Sequence, residues 1–214
     1  MPTRLLPILT LAALLAGASA AEARMDRVVF VGDSSLLNVT LRSPRELVTD
    51  LLQRRLRIIA QPIGAPGAIM ADYDRFYGFR NIGVGVTLMS QVFLPRAIVV
   101  LLGYNDWNLN APLDDFSAAY REFLAAMPPD VPVVCITPLW NAEEGKLNSA
   151  GHRLAEYRAA IADACSAHQV VDGLTLVDAG SDTFPDGKHP SRIGNAQMAT
   201  RLLPVLTPLL APLP

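Results

Sequence analysis

Apolar and polar positions along the chain fall into blocks that switch between two periods. The runs at 27–31, 97–102 and 131–137 are apolar at almost every position and rich in β-branched residues. Such runs predict strands buried on both faces. Shorter apolar runs at 56–60 and 174–178 bring the set to five. Helical spacing fills the gaps. A helix is expected over 43–55, with Ser43 placed to cap it and Pro44 suited to its first position. Others are expected at 68–77, at 86–93 as a short helix or turn, at 113–126, at 149–167, and from Pro190 to about 203, ending near Pro204. Pro128 and Pro129 stop the helix before them, and the glycine- and proline-rich stretch 61–67 reads as a loop. Strands alternating with helices, and apolar on both faces, predict an α/β domain with a parallel sheet covered on two sides.

Composition narrows the class. At 214 residues with 51% hydrophobic and 18% charged positions, the chain suits one globular core rather than a disordered segment or two domains. A net charge of −2 offers no basic field for nucleic acid. The first twenty residues differ from the rest. Arg4 is followed by an apolar run to Leu15 and then by Ala16-Gly17-Ala18-Ser19-Ala20. This order predicts a secretory signal at 1–20, cleaved after Ala20 or after Ala23, followed by a single domain at 24–214. A membrane anchor is the lesser alternative, because the apolar run is short for a span. Secretion or a periplasmic location follows. Two cysteines, Cys135 and Cys165, could pair in an oxidising compartment. Their positions lean slightly towards two buried thiols, and neither has a metal-ligand spacing.

The candidate chemistry gathers at the ends of strands. Ser34 follows the first, Gly67 lies in the loop after the second, Asn105 follows the third, and Asp186 and His189 follow the fifth. An open parallel sheet binds its ligands at that edge. In Asp186-Gly187-Lys188-His189 the carboxylate can reach the near ring nitrogen and leave the other to take a proton from serine. Backbone N–H groups at Ser34 and Gly67 and the Asn105 amide could serve an oxyanion. Gly64 is the rival of Gly67, and Ser35 a lesser rival of Ser34. Asp33 is poorly placed to orient a base for its neighbour and reads as structural. Asp106 reads as a turn or cap residue. His152 and His168 read as exposed helix residues.

Gly32-Asp33-Ser34, the loop ending in Gly67, Gly103-Tyr104-Asn105-Asp106 and Asp186-Gly187-Lys188-His189 together resemble the four sequence blocks of the SGNH hydrolases, the GDSL-type esterases and lipases. The resemblance implies a three-layer αβα sandwich on a five-stranded parallel sheet, flavodoxin-like in layout. It also implies Ser34 as nucleophile, His189 as base, Asp186 as its partner, and Ser34, Gly67 and Asn105 as oxyanion donors. Ser35 stands where the family often has leucine, and Pro62 where an asparagine often precedes the glycine loop. Neither departure removes a catalytic group.

Tyr104, Trp107 and Trp140 fall in loops at the same edge and are candidates for lining a substrate site. The expected activity is that of an exported serine esterase acting through an acyl-enzyme, without metal or cofactor, on short-chain or O-acetyl esters. Those esters could be small molecules or part of a glycan or lipid. Lipase, lysophospholipase or thioesterase action on longer chains is the alternative, as is acyl transfer. A carbohydrate- or lipid-binding module on a hydrolase scaffold is the non-enzymatic one.

Overall fold

A computed structural model describes residues 26–37, 41–70 and 95–211. The expected signal segment, most of the helix expected at 68–77 and all of that at 86–93 lie outside them. The strands are β1 (Arg27–Gly32), β2 (Ile59–Gly64), β3 (Ala97–Leu101), β4 (Val133–Ile136) and β5 (Gln169–Val171). The helices are α1 (Ser34–Leu37), α2 (Val48–Leu56), α3 (Tyr104–Asn108), α4 (Leu113–Ala125), α5 (Leu154–Ala164) and α6 (Arg192–Leu206). All five strands pair in parallel in the order β2-β1-β3-β4-β5.

Strand periodicity divides the core into two layers. Val29, Val31, Ile98, Val100, Val133 and Cys135 face α4 and α5, while Val28, Phe30, Val99, Leu101, Val134 and Ile136 face α2 and α6. Because both sets are buried, the strands carry no polar alternation to mark an outer face. On α4, Phe116, Tyr120 and Phe123 recur at helical spacing and turn inward. The result is the expected αβα sandwich. Its strand order reverses between β1 and β3, and a ligand crevice forms where such a sheet reverses.

Several expectations need correction. The second strand is β2 at Ile59–Gly64, not 56–60, and takes in Pro62. It is an edge strand, where a missing N–H is tolerated. The fifth strand is Gln169–Val171, not 174–178. Leu176 and Val177 are buried, but from a segment following a 3-10 turn at Gly173–Thr175. The helix expected at 43–55 begins as a 3-10 turn at Pro44–Glu46, and α2 starts only at Val48. The long helix shortens to α5 because Asn148 organises the residues before it. Its side chain accepts from the Ala150 and His152 N–H groups and donates to Trp107 O. α6 runs past Pro204 to Leu206.

Cys135 and Cys165 are not two thiols but a disulfide, with Cα atoms 6.5 Å apart. Cys135 points from β4 into the layer under α5, and Cys165 caps the C-terminus of that helix. The two are thus brought within bridging distance.

Candidate active site

β1 delivers Ser34 to the crevice. Leu36 N–H and Leu37 N–H both donate to Asp33 O, so the chain turns into α1 directly after the strand. Ser34 is 8% exposed, set near the surface with its hydroxyl at the sheet edge. From the other end of the chain, the turn after Phe184 brings His189 to it. Nε2 of His189 lies 2.9 Å from Ser34 Oγ, and Nδ1 lies 2.6 Å from Asp186 Oδ2. A carboxylate can only accept, so Nδ1 carries the proton and Nε2 is left to accept from the Ser34 hydroxyl. The other oxygen of Asp186 accepts the N–H groups of His189 and Lys188 at 2.8 and 3.1 Å. Partial burial works against the charge of this carboxyl. The two N–H donors and the imidazole outweigh it and hold the pKa below the ordinary aspartate value.

The turn itself is braced. Gly187 has φ +81°, a conformation that L residues with a side chain rarely adopt, and a Cβ there would lie 2.9 Å from that of Ala142. Its carbonyl accepts the Ala142 N–H at 2.7 Å, which ties the turn to the loop after β4. Arg158 fixes that loop from α5, donating to the carbonyls of Pro138 and Leu139 and pairing with Glu144.

The candidate oxyanion donors sit around the same serine. Ala65 to Ala68 form a turn closed by Ala68 N–H to Ala65 O, with Pro66 and Gly67 central and Gly67 at φ +80°. Proline followed by a glycine with positive φ is the pattern of a type II turn. Among the described residues no group accepts from the N–H of Gly67. Gly64 is occupied otherwise. It pairs with Gly32 in the sheet, and a Cβ on it would lie 1.8 Å from Gly32 O. Its glycine is required by strand packing. Asn105 is buried on α3, and its amide nitrogen lies 3.0 Å from Asp33 Oδ2 and 3.1 Å from Ala68 O. The expected donor is therefore already engaged by two acceptors.

Two acids do more than the sequence reading assigned. Asp33 accepts Ser35 N–H on one oxygen and the Asn105 amide on the other, linking the strand that carries Ser34 to α3. Burial raises its pKa against the lowering effect of the Ser35 hydrogen bonds and of His189. Asp106 accepts Met70 N–H at 2.7 Å, anchoring the end of the Gly67 loop. Both bonds cross between elements, so no local pattern announces them. Ser35 gives its backbone to Asp33, while the imidazole faces Ser34.

The aromatic candidates separate. Tyr104 lines a cleft beside the Asp186 turn. Trp107 does not line it. At 3% exposed, it lies in the core with its indole N–H donating to His152 O. Trp140 packs at a tilt against Phe184, ring centroids 5.3 Å apart, and is only partly buried. His152 is not an isolated surface residue, since its Nδ1 lies 2.6 Å from Glu156. His168 is exposed as expected. Among the described residues no cluster of three or more His, Cys, Asp or Glu could hold a metal, and no helix is long and apolar enough to cross a membrane.

Many solved structures share the architecture, among them the three described next. The lipase/acylhydrolase from Enterococcus faecalis superposes with a TM-score of 0.67 at 22% identity, over 89% of this chain and 100% of that one. The salicylyl-acyltransferase SsfX3 of a tetracycline biosynthetic pathway gives 0.70 at 16%, over 86% of this chain but only 55% of its own. The psychrotrophic esterase EstA from Pseudoalteromonas gives 0.63 at 12%, over 86% and 98%. These likenesses establish the fold. Direct sequence comparison with curated proteins returns no match. The profile of the GDSL-like Lipase/Acylhydrolase family, by contrast, matches residues 30–197, from within β1 through the His189 turn into α6. That span takes in the end of β1, all of β2 to β5 and every residue of the Ser34–His189–Asp186 relay, and the chain belongs to this family of SGNH hydrolases.

Proposed function

We propose that the chain is a serine esterase that works through an acyl-enzyme on esters of short acyl groups, acetyl included. The observation that carries this reading is the continuous relay from Ser34 Oγ through His189 to Asp186 Oδ2, at 2.9 and 2.6 Å. Ser34 Oγ attacks the ester carbonyl carbon as Nε2 takes its proton. The imidazolium is held by Asp186, and the carbonyl oxygen becomes an oxyanion. Ser34 N–H and Gly67 N–H, to which no acceptor is bonded among the described residues, receive it, and Asn105 joins them by exchanging its bond to Ala68 O for one to the oxyanion. Collapse expels the alkoxide, which takes the proton back from Nε2. Water then repeats the sequence on the acyl-serine. Donors of this kind each lower the barrier by about 3 kcal/mol.

Acyl transfer to an alcohol differs only in what replaces water. The likeness to an acyltransferase supports keeping it as the second reading. We also propose export. The N-terminal pattern and the Cys135–Cys165 disulfide both fit an oxidising compartment.

Turnover of p-nitrophenyl esters from acetate to palmitate by the protein and by Ser34→Ala tests the activity. Loss of about three orders of magnitude in kcat, with a maximum at short chains in the parent, is expected. Undiminished turnover by the variant, or a maximum at long chains, contradicts the proposal. N-terminal sequencing of exported protein should begin at Ala21 or Arg24.

A further inference from the structure

A cleft of about 290 Å³ lies against Asp186, Gly187 and Lys188, the part of the turn that leads into His189. Its walls are Tyr104 and Asn108 from α3, Asn141 and Glu143 from the loop after β4, and the turn itself with Lys188. Its position relative to the chemistry assigns its side of the substrate. In an acyl transfer the base returns its proton to the leaving oxygen, so the alcohol portion of the ester must lie on the imidazole side. The acyl portion stays with Ser34. A cleft built against the turn that carries the imidazole is therefore on the alcohol side.

The lining says what kind of alcohol fits. It is polar nearly throughout, with Ala142 alone offering a methyl group, so an alkyl chain gains little there. The carboxylates of Glu143 and Asp186 outnumber the ammonium of Lys188, so the cleft does not favour an anion. Neutral donors and acceptors remain. The Tyr104 hydroxyl stays protonated, because burial and the carboxylates of Glu143, Asp33 and Asp186 push its pKa to about 12. Asn141 is 2% exposed. Its carbonyl oxygen holds Glu143 N–H at 2.7 Å, while among the described residues its buried amide nitrogen has no hydrogen-bond partner. A buried donor without an acceptor is rare in a folded protein, and a bound hydroxyl oxygen would supply what is missing.

We propose that this cleft is the subsite for the alcohol portion of the ester and that this portion is a sugar ring with free hydroxyls, recognised by Asn141 and Tyr104. The inference rests on the esterase reading above and extends it to O-acylated saccharides.

The test compares kcat/KM for a mono-O-acetylated glucose with that for p-nitrophenyl acetate and butyl acetate, in the parent protein, Asn141→Asp and Tyr104→Phe. Asn141→Asp keeps the oxygen that holds Glu143 N–H and removes the donor. Any effect of its new charge on His189 acts on all three esters and cancels in their ratio. The parent should prefer the sugar ester to butyl acetate at least tenfold. Each variant should lower the ratio of sugar-ester to p-nitrophenyl acetate turnover at least fivefold, mainly through KM. Free glucose should inhibit the parent competitively. Equal use of sugar and butyl esters, parallel losses on all substrates, or absence of inhibition by glucose overturns the subsite. If a variant fails to fold, the parent's preference and its inhibition still decide. Turnover of none of the three esters by the parent would instead overturn the esterase reading.

Discussion

Asp186 offers the sharpest separation of orientation from packing at the level of single residues. Asp186→Asn keeps the shape of the side chain, but its amide can donate to Nδ1 and so favour the tautomer with Nε2 protonated. That tautomer cannot accept from Ser34. A fall in kcat on the order of 10⁴-fold with an unchanged circular dichroism spectrum is expected; a loss under tenfold contradicts the role. Asp33 makes a different prediction. Its pKa is raised above 3.8 by burial, so across that window the folded protein holds a proton that the unfolded chain has lost. Its contribution to stability therefore decreases as pH rises from the ordinary value through the raised one. Asp33→Asn should flatten that part of the stability–pH curve, as read from urea midpoints. That Ser34, His189 and Asp186 would meet was legible in the sequence because each polar group interrupts or follows an apolar run. The Asp33–Asn105 bond was not, because it joins positions 72 residues apart and depends on how β1 and β3 lie side by side.

Elements were legible in proportion to their burial. β1, β3 and β4 have no exposed face, so their sequences are uninterrupted apolar runs and their positions were read within a residue or two. β2 and β5 are edge strands, and that is where the reading slipped. Pro62 and Gly64 looked like loop residues. One is tolerated at an edge, and the other makes room for Gly32. The exposed β5 lost out to the more apolar 174–178. The two glycines of the β2 loop should consequently fail in different ways. Gly64→Ala forces a Cβ into Gly32 O and should lower unfolding free energy by about 3 kcal/mol, the upper range for overpacking. Gly67→Ala carries the cost of positive φ, about 1–2 kcal/mol, and should act chiefly on kcat. Denaturant unfolding together with p-nitrophenyl acetate kinetics distinguishes them. A reversed pattern would make Gly64 the oxyanion donor.

Across the whole molecule, the strand order brings together residues more than 150 positions apart. Ser34 follows β1, the Gly67 loop follows β2, Asn105 follows β3, and the reversal of strand order between β1 and β3 leaves the crevice they share. Alternation of strands and helices made the parallel sheet readable. The disulfide was not, because its two cysteines meet only once α5 lies on β4. The bridge closes a sequence separation of 30 residues and should contribute about 2–4 kcal/mol. The Cys135→Ala/Cys165→Ala variant, or reduction, should lower the urea midpoint accordingly without altering the Ser34–His189 chemistry; an unchanged midpoint contradicts that estimate. The most direct test of the central claim uses the intact, oxidised protein and a fluorophosphonate, whose phosphorus is attacked only by an activated nucleophile. One adduct per chain, mapped to the peptide containing Ser34 and absent from Ser34→Ala and His189→Ala, is the predicted result. A folded protein that remains unlabelled, or that is labelled at Ser35, contradicts it.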